Sequence, residues 1–367
     1  MANRAYRYRL YPTTEQSTLL SKTFGCCRKV WNLMLSDKIS YYKETGKNLS
    51  VTPAMYKKDY PFLKEVDSLA LANVQMHLQA AYKNFFQNKK TGFPKFKSAK
   101  RSRKSYTTNC VNGSIRIEGN RIRLPKLGLV KAVVHRVPPA DWKVKSATVS
   151  QESDGTFYVS VLFEYGKVIV PVSKDSKKVL GLDYKSDGLY MDSEGRKGSE
   201  HKYYRESLEK LAKAQRKLKN KKPGSSNYKK QQQRIARIYR HTSSQRKDHL
   251  HKLSTEIANQ YEIVCVEDLD MKAIANKGFG NGRATMDNGY GMFLSMLEYK
   301  LRERGKYLVR VDKWYPSSQL CHCCGRRKKL SLEERVYSCV CGYTGDRDHN
   351  AAINIKKEGL RLLKEAA

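Results

Sequence analysis

Acid is scarce in this 367-residue sequence: Asp and Glu total 35 against 72 Lys and Arg, a formal net charge of +37. So large an excess works against a compact chain through self-repulsion. It makes sense where a polyanion is bound, and nucleic acid is the obvious one. Long apolar runs are missing as well. No stretch reaches the roughly 18 residues that a membrane-spanning helix needs. The opening segment, Met1 to Arg7, has no apolar centre of a secretory leader. No membrane is expected, and the protein is read as cytoplasmic. A disulfide framework is the weaker reading of the cysteines. The nine cysteines are odd in number and four of them fall in two close pairs, which fits metal ligation in a reducing compartment. Cys26, Cys27, Cys110 and Cys265 lie among apolar neighbours and read as buried thiols.

What is present organises the chain into blocks, and its length allows two or three domains with cores of their own. Residues 4–11 alternate as a strand, with Arg4, Tyr6, Tyr8 and Leu10 on one side, and Pro12 ends it. Thr13 or Thr14 can cap a helix in which Leu19, Leu20, Phe24, Cys27, Val30, Trp31, Met34 and Leu35 recur at helical spacing. A second helix is predicted over about 68–89. The segment 83–104 holds nine Lys or Arg, no acid, and Phe85, Phe86, Phe93 and Phe96 between them. Charge interleaved with aromatics suits a phosphate backbone and stacked bases. Lys95, Lys97, Arg101, Arg103 and Lys104 are the nucleic-acid candidates there. From 105 to 165 the pattern is β, with hairpin signals at Glu118-Gly119-Asn120 and Ser153-Asp154-Gly155. A strand, a helical insert and more strands suggest a small β-barrel with helices inserted.

A linker over 166–178 leads to a second pattern. Val179–Asp183 and Tyr261–Glu267 are apolar strands ending in acids, Leu189-Tyr190-Met191 is a short strand, and Tyr307–Val311 is another. Residues 203–260 are helical, broken at Lys222-Pro223-Gly224, and helices are predicted over 291–304 and 349–364. Strands alternating with helices indicate an α/β domain. Residues 201–250 carry 16 Lys or Arg and three acids, so the acids needed for i,i+4 pairing are almost absent. Leu208, Leu211, Ala214 and Leu218, continued by Ile235, Ile238 and Leu250, give an apolar stripe. The remaining face, with Arg216, Lys217, Arg234 and Arg237, is expected to contact nucleic-acid backbone.

Two constellations carry chemistry. Cys321-His322-Cys323-Cys324-Gly325 precedes Cys339-Val340-Cys341-Gly342 by a spacing that suits a closed, structural zinc site of two knuckles. Cys321, Cys324, Cys339 and Cys341 are the proposed ligands, with Cys323 and His322 also within reach. The second constellation is acidic. Asp183 and Glu267 end buried strands, and Asp348 opens the final helix. Strand ends and helix starts gather on the functional rim of an open α/β sheet. Carboxylates grouped there need a cation between them, and their hard oxygens suit Mg²⁺ or Mn²⁺. Two such ions can support phosphodiester cleavage. Asp187, Asp192, Asp268, Asp270 and Asp346 compete for the same role, and Asp348 can also be read as a helix cap.

These residues resemble the TnpB family, transposon-encoded relatives of compact type V CRISPR effectors. The carriers are Tyr8-Arg9-Leu10-Tyr11-Pro12-Thr13, Phe24-Gly25-Cys26-Cys27-Arg28 and Phe93-Pro94-Lys95-Phe96-Lys97-Ser98 in the first half. In the second they are Gly181-Leu182-Asp183, Val266-Glu267-Asp268-Leu269, Pro316-Ser317-Ser318-Gln319-Leu320-Cys321 and Asp346-Arg347-Asp348-His349-Asn350-Ala351-Ala352-Ile353-Asn354. The resemblance implies an α/β plus β chain. Residues 179–312 and 345–367 would form a RuvC-like nuclease domain of RNase H fold, with a zinc ribbon over 313–344. Residues 1–12 and 105–170 would form a β-barrel wedge domain, and 13–104 a helical recognition lobe. It implies a catalytic triad of Asp183, Glu267 and Asp348 holding two Mg²⁺ or Mn²⁺ ions. It further implies a guide RNA from the transposon end, a double-stranded DNA target beside a short flanking motif, and a monomer within a nucleoid-associated ribonucleoprotein. Tyr184-Lys185-Ser186-Asp187-Gly188 departs from the turn usual in relatives. Some relatives have lost triad acids and act as guided repressors, but all three acids are present here, so activity is expected. A non-cleaving regulator and a DNA transposase are the alternative readings.

Overall fold

The computed structural model describes residues 2–88, 91–199, 201–275, 282–331 and 334–366. Lys89 and Lys90 of the basic run lie outside them. The chain divides into two compact units, Met1–Lys167 and Val168–Ala367.

In the first unit β1 (Ala2–Tyr11) buries Tyr6, Tyr8 and Leu10 and exposes Arg7 and Arg9, as its alternation requires. Thr13 closes a capping box with Gln16 and starts α1 (Thr14–Thr45), which ends at Gly46 in the left-handed conformation. Asp67 caps α2 (Ser68–Gln87). The sheet continues with β2 (Lys104–Asn109), β3 (Arg116–Glu118), β4 (Arg121–Leu124), β5 (Gly128–Val133), β6 (Lys143–Gln151) and β7 (Phe157–Tyr165). All neighbours are antiparallel, in the order β2-β6-β7-β1-β5-β4-β3. Among the described residues no ladder joins β2 to β3. The turns between β3 and β4 and between β6 and β7 fall where the Gly119 and Gly155 signals stand. Both helices share one apolar core with the sheet, where Phe24 meets Tyr106 and Asp67 accepts a hydrogen bond from Thr108.

The second unit carries β8 (Val179–Lys185), β9 (Leu189–Asp192), α3 (Tyr203–Lys219), α4 (Ser226–Gln260) and β10 (Ile263–Glu267). There follow α5 (Met271–Ile274), α6 (Gly282–Asn288), α7 (Tyr290–Arg302) and β11 (Tyr307–Val311). A small hairpin of β12 (Val336–Ser338) and β13 (Thr344–Asp346) leads into α8 (Arg347–Glu365). The main sheet has the order β11-β10-β8-β9, with β8, β10 and β11 parallel and β9 antiparallel at the edge. Leu180, Leu182, Val264 and Val266 face α4 and α7 on one side. Val179, Ile263 and Cys265 face α8 on the other, with Ile355 and Leu363. The basic helices α3 and α4 form a hairpin: Ser225 caps α4 after the Pro223 break, and Gln231 donates to the Ala214 carbonyl at 2.8 Å. Of the expected stripe Leu211, Ala214 and Leu250 are buried, whereas Leu208 is exposed.

Candidate active site and metal centre

Register and side-chain alternation bring the first two acids together. Gly181 pairs with Cys265 and Leu182 with Val266, so Asp183 and Glu267 follow on the next rung of adjacent parallel strands. They project from the face that carries Gly181 and Cys265. That face lies directly under α8. A Cβ on Gly181 would stand 2.1 Å from the Ala352 carbonyl oxygen, and a Cβ on Gly359 would stand 2.4 Å from Cys265 Sγ. Asp348 precedes Ala352 by one helical turn on the same side, which places it over the strand ends. Asp183 and Glu267 are half-buried there, and Asp348 is 8% exposed.

The helix start separates two acids that the sequence left open. Asp346 is the cap, accepting from the backbone N–H of Asp348 at 2.8 Å and of His349 at 2.9 Å. Asp348 is therefore released from capping. The other competitors are occupied in exposed ion pairs or in local turns, whereas Asp348, although paired with Lys185 and Arg347, is buried. Asp187 pairs with Lys202 at 2.7 Å, and Asp268 with Arg310 at 3.2 Å. Asp192 closes a turn by accepting from the backbone of Glu194 and Arg196, both at 2.9 Å. Asp270 accepts from the backbone of Ala273 at 3.3 Å.

Electrostatics distinguishes the three acids. Burial, then the charges of Glu267 and Asp348, push Asp183 well above the usual carboxylate range. Burial also raises Glu267, against a 2.5 Å hydrogen bond donated by Ser317 Oγ. Burial acts to raise Asp348 too, but Lys185 and Arg347 outweigh it and hold it below its usual value. Lys185 Nζ bonds Asp348 Oδ2, and Arg347 reaches Oδ1 through Nε and Nη2, each at 3.3 Å. Tyr290, raised by burial and then by Asp183 and Glu267, has a buried hydroxyl with no hydrogen-bond partner among the described residues. Carboxylates supply the hard oxygen donors that a divalent cation takes, and Asp183 feels the charges of both other acids, but among the described residues the three do not close to within 4.8 Å of one another as the cysteine sulfurs do.

The cysteines form a separate centre. One sulfur from each of Cys321, Cys324, Cys339 and Cys341 lies within 4.8 Å of the others. The pairs Cys321–Cys341 and Cys324–Cys339 stand at 3.6 Å. Zinc–sulfur bonds of about 2.3 Å place tetrahedral sulfurs about 3.8 Å apart, so the cluster has the size zinc requires. Cys323 lies outside this group, with Sγ 3.3 Å from His322 Nε2. The His322 backbone donates to Asn350 Oδ1 at 3.0 Å.

Sequence reasoning missed what joins the two centres. Asn354 Nδ2 donates to the Ser317 carbonyl at 2.8 Å and the Leu320 carbonyl at 2.7 Å. Asn350 Nδ2 donates to the same Leu320 carbonyl at 2.7 Å. Both Asn side chains are buried on α8, and the segment they grip runs from Ser317, which holds Glu267, to the first cysteine knuckle. The available signal was Asn350-Ala351-Ala352-Ile353-Asn354, two amides at i,i+4 on an otherwise apolar helix face.

The candidate nucleic-acid residues fall in both units. In the first, Lys95, Arg101, Arg103 and Lys104 are exposed, whereas Lys97 is half-buried with Nζ 3.7 Å from the centre of the Trp31 ring. Arg103, Lys104 and Lys97 line a cleft of about 90 Å³ with Arg28 and His77. In the second, Arg216, Lys217, Arg234 and Arg237 are exposed on α3 and α4.

The fold is that of a compact Cas12f1-like protein. Cas12f1, in the cryo-EM structure of its complex with sgRNA and target DNA, aligns with a TM-score of 0.63 at 12% identity over 97% of this chain and 98% of its own. Residues 152–277 match the family described as "Probable transposase", and residues 290–355 match "Cas12f1-like, TNB domain". Residues 1–47 match "Helix-turn-helix domain", although here they form one strand and one continuous helix. A "Putative RNA-guided DNA endonuclease" of Streptomyces pristinaespiralis is 36% identical over 97% of this chain and 89% of its own. InsQ of Escherichia coli strain K12, described in the same words, is 29% identical over 98% and 93%. "TnpB-like protein L79" of Acanthamoeba polyphaga mimivirus is 29% identical over 35% of this chain and 25% of its own. The chain belongs to the TnpB family of RNA-guided DNA endonucleases.

Proposed function

We propose that this protein is a transposon-encoded, RNA-guided DNA endonuclease that cuts target DNA beside a short flanking motif. The observation that carries the reading is the grouping of Asp183, Glu267 and Asp348, from two strands and a helix, at one rim, where burial and then the charges of Glu267 and Asp348 raise Asp183. In this reading the second unit is a RuvC-like nuclease domain of RNase H fold, over 179–312 and 345–367, with the zinc ribbon at 313–344. Residues 1–12 and 105–170, all but the last three in the first unit, would form the β-barrel wedge, and 13–104 the recognition lobe. The partners are a guide RNA derived from the transposon end and a double-stranded DNA target, bound by a monomer.

Asp183, Glu267 and Asp348 would hold two Mg²⁺ or Mn²⁺ ions. When bound, these ions supply positive charge at the scissile phosphate and make a water nucleophilic at neutral pH. The protein's own part is to hold three carboxylates in place before the ions arrive. Ser317 fixes one oxygen of Glu267, while Lys185 and Arg347 keep Asp348 ionised. Cys321, Cys324, Cys339 and Cys341 would hold a structural zinc. Base pairing with the guide would read the target, and exposed cations such as Arg216, Lys217, Arg234 and Arg237 would bind backbone without reading sequence.

The test is cleavage of a guide-matched duplex carrying the flanking motif, by the protein loaded with its RNA, in Mg²⁺. Cutting is expected from the parent and at least about a thousandfold less from Asp183→Ala, the scale on which removal of a single essential catalytic group acts. Strand joining that survives RNase treatment would instead indicate a transposase. Guided binding without cutting would indicate a regulator.

A further inference from the structure

We propose that Trp314 is a stacking platform for an unpaired nucleobase of the strand entering the acidic rim; this rests on the nuclease reading above. Trp314 is 80% exposed. It sits in a loop whose two ends both meet Glu267. At one end Val311 pairs with Glu267 in the β10–β11 register, and at the other Ser317 Oγ donates to Glu267 Oε1 at 2.5 Å. Trp314 is three positions from each end, with two residues between, so its Cα lies no more than about 11 Å from either anchor.

The loop is held in shape from within. Asp312 Oδ1 accepts from the Trp314 backbone at 2.7 Å, the Asp312 carbonyl accepts from Tyr315 N–H at 3.0 Å, and the Tyr315 carbonyl accepts from Ser317 N–H at 2.8 Å. Tyr315 turns inward and packs with Val311 and Ile355. Trp314, beside it, is left in water. An indole is costly to leave exposed and rigid aromatics bind with little loss of entropy, so its position suits a planar partner. The charge around it narrows that partner. Lys313 Nζ stands 4.9 Å from the centre of the indole ring, placing a cation beside the stacking face. In a chain of formal charge +37 this combination matches a base attached to a phosphate backbone. Stacking is tolerant of sequence, as a site serving any guided target must be.

The test uses full-length, RNA-loaded protein in the Asp183→Ala background and a short single-stranded oligothymidylate as probe. Trp314→Ala should weaken probe binding about tenfold with an unchanged slope against salt, since it removes a stack and no phosphate contact. Trp314→Phe should retain most of the affinity. Quenching of tryptophan fluorescence by the probe should fall sharply in Trp314→Phe, leaving Trp31 and Trp142 as the only reporters. Unchanged affinity in Trp314→Ala overturns the proposal. So does loss of affinity in both variants together with a lowered melting temperature, which would make Trp314 a loop support. A change in oligomeric mass without a change in probe binding also overturns it, and assigns the indole to a protein contact. Failure of the parent to cut guided duplex DNA would count against the nuclease reading, while probe binding separately reports the stack.

Discussion

Asp183 is the residue on which the site's energetics turn. Held with Glu267 above the ordinary carboxylate range, it binds protons in the native state at pH values where the unfolded chain has lost them. Unfolding free energy therefore falls as pH rises between the unfolded and folded pKa values of the two acids. Asp348 acts in the opposite sense. Its pKa is lowered, so its contribution is present above about pH 4 and is lost as pH falls through the folded value. The metal-free protein should lose stability from about pH 4 upward until Asp183 and Glu267 ionise. Asp183→Asn should remove the larger part of that slope, gain stability at neutral pH relative to the parent, and abolish stabilisation by Mg²⁺. Urea melts of parent and variant from pH 4 to 8, with and without Mg²⁺, measure all three. A parent–variant difference that stays constant with pH contradicts this account. The positions of the three acids were legible, although β8 runs on to Lys185, two residues past the strand end expected at Asp183. Lys185, Arg347 and Ser317 were not, because their roles depend on which distant carboxylate they meet.

At the scale of elements, α8 decides where Asp348 stands, and two glycines decide how closely α8 lies on the sheet. Gly181 has no room for a side chain, since its Cβ would fall on a backbone carbonyl of α8 rather than on a flexible tip. Gly181→Ala should therefore cost about 3 kcal/mol or more by lifting the helix, and should weaken divalent-metal binding at the rim. Thermal melting with and without Mn²⁺ checks it. An alanine variant that melts like the parent and binds Mn²⁺ equally well would show that the helix is not seated by this contact. Strand and helix positions were readable from period and punctuation: Pro12, Pro223 and the Gly119 and Gly155 turns all fall at element boundaries. The contact between Gly181 and α8 was not readable. It joins residues about 170 positions apart, and local periodicity carries no information on which helix covers which face.

Across the second unit, the cysteine centre and the carboxylates behave as one construction. The segment from Ser317 to His322 is tied to Glu267 by Ser317 and to α8 by Asn350 and Asn354, and it ends in the first knuckle. The sequence showed the cysteines and Asp348 as neighbours along the chain. Their physical link was hidden in three polar side chains that periodicity assigns to a loop and a helix face. Metal binding at a closed cysteine site stabilises the fold around it, so zinc should also steady Glu267 and Asp348. A zinc-free Cys324→Ser, Cys341→Ser protein should melt lower and bind Mn²⁺ at the acids about 10-fold to 100-fold more weakly, the range typical of lost supporting contacts. Asn354→Ala separates the link from the zinc itself. It should keep its zinc, lose about 1–3 kcal/mol as the Ser317 carbonyl loses its donor while Asn350 still serves the Leu320 carbonyl, and still weaken Mn²⁺. Zinc content by mass spectrometry and Mn²⁺ binding by electron paramagnetic resonance give the two readouts. If Mn²⁺ affinity is the same in Asn354→Ala, in the zinc-free protein and in the parent, the ribbon supports only its own fold and the acids are positioned without it.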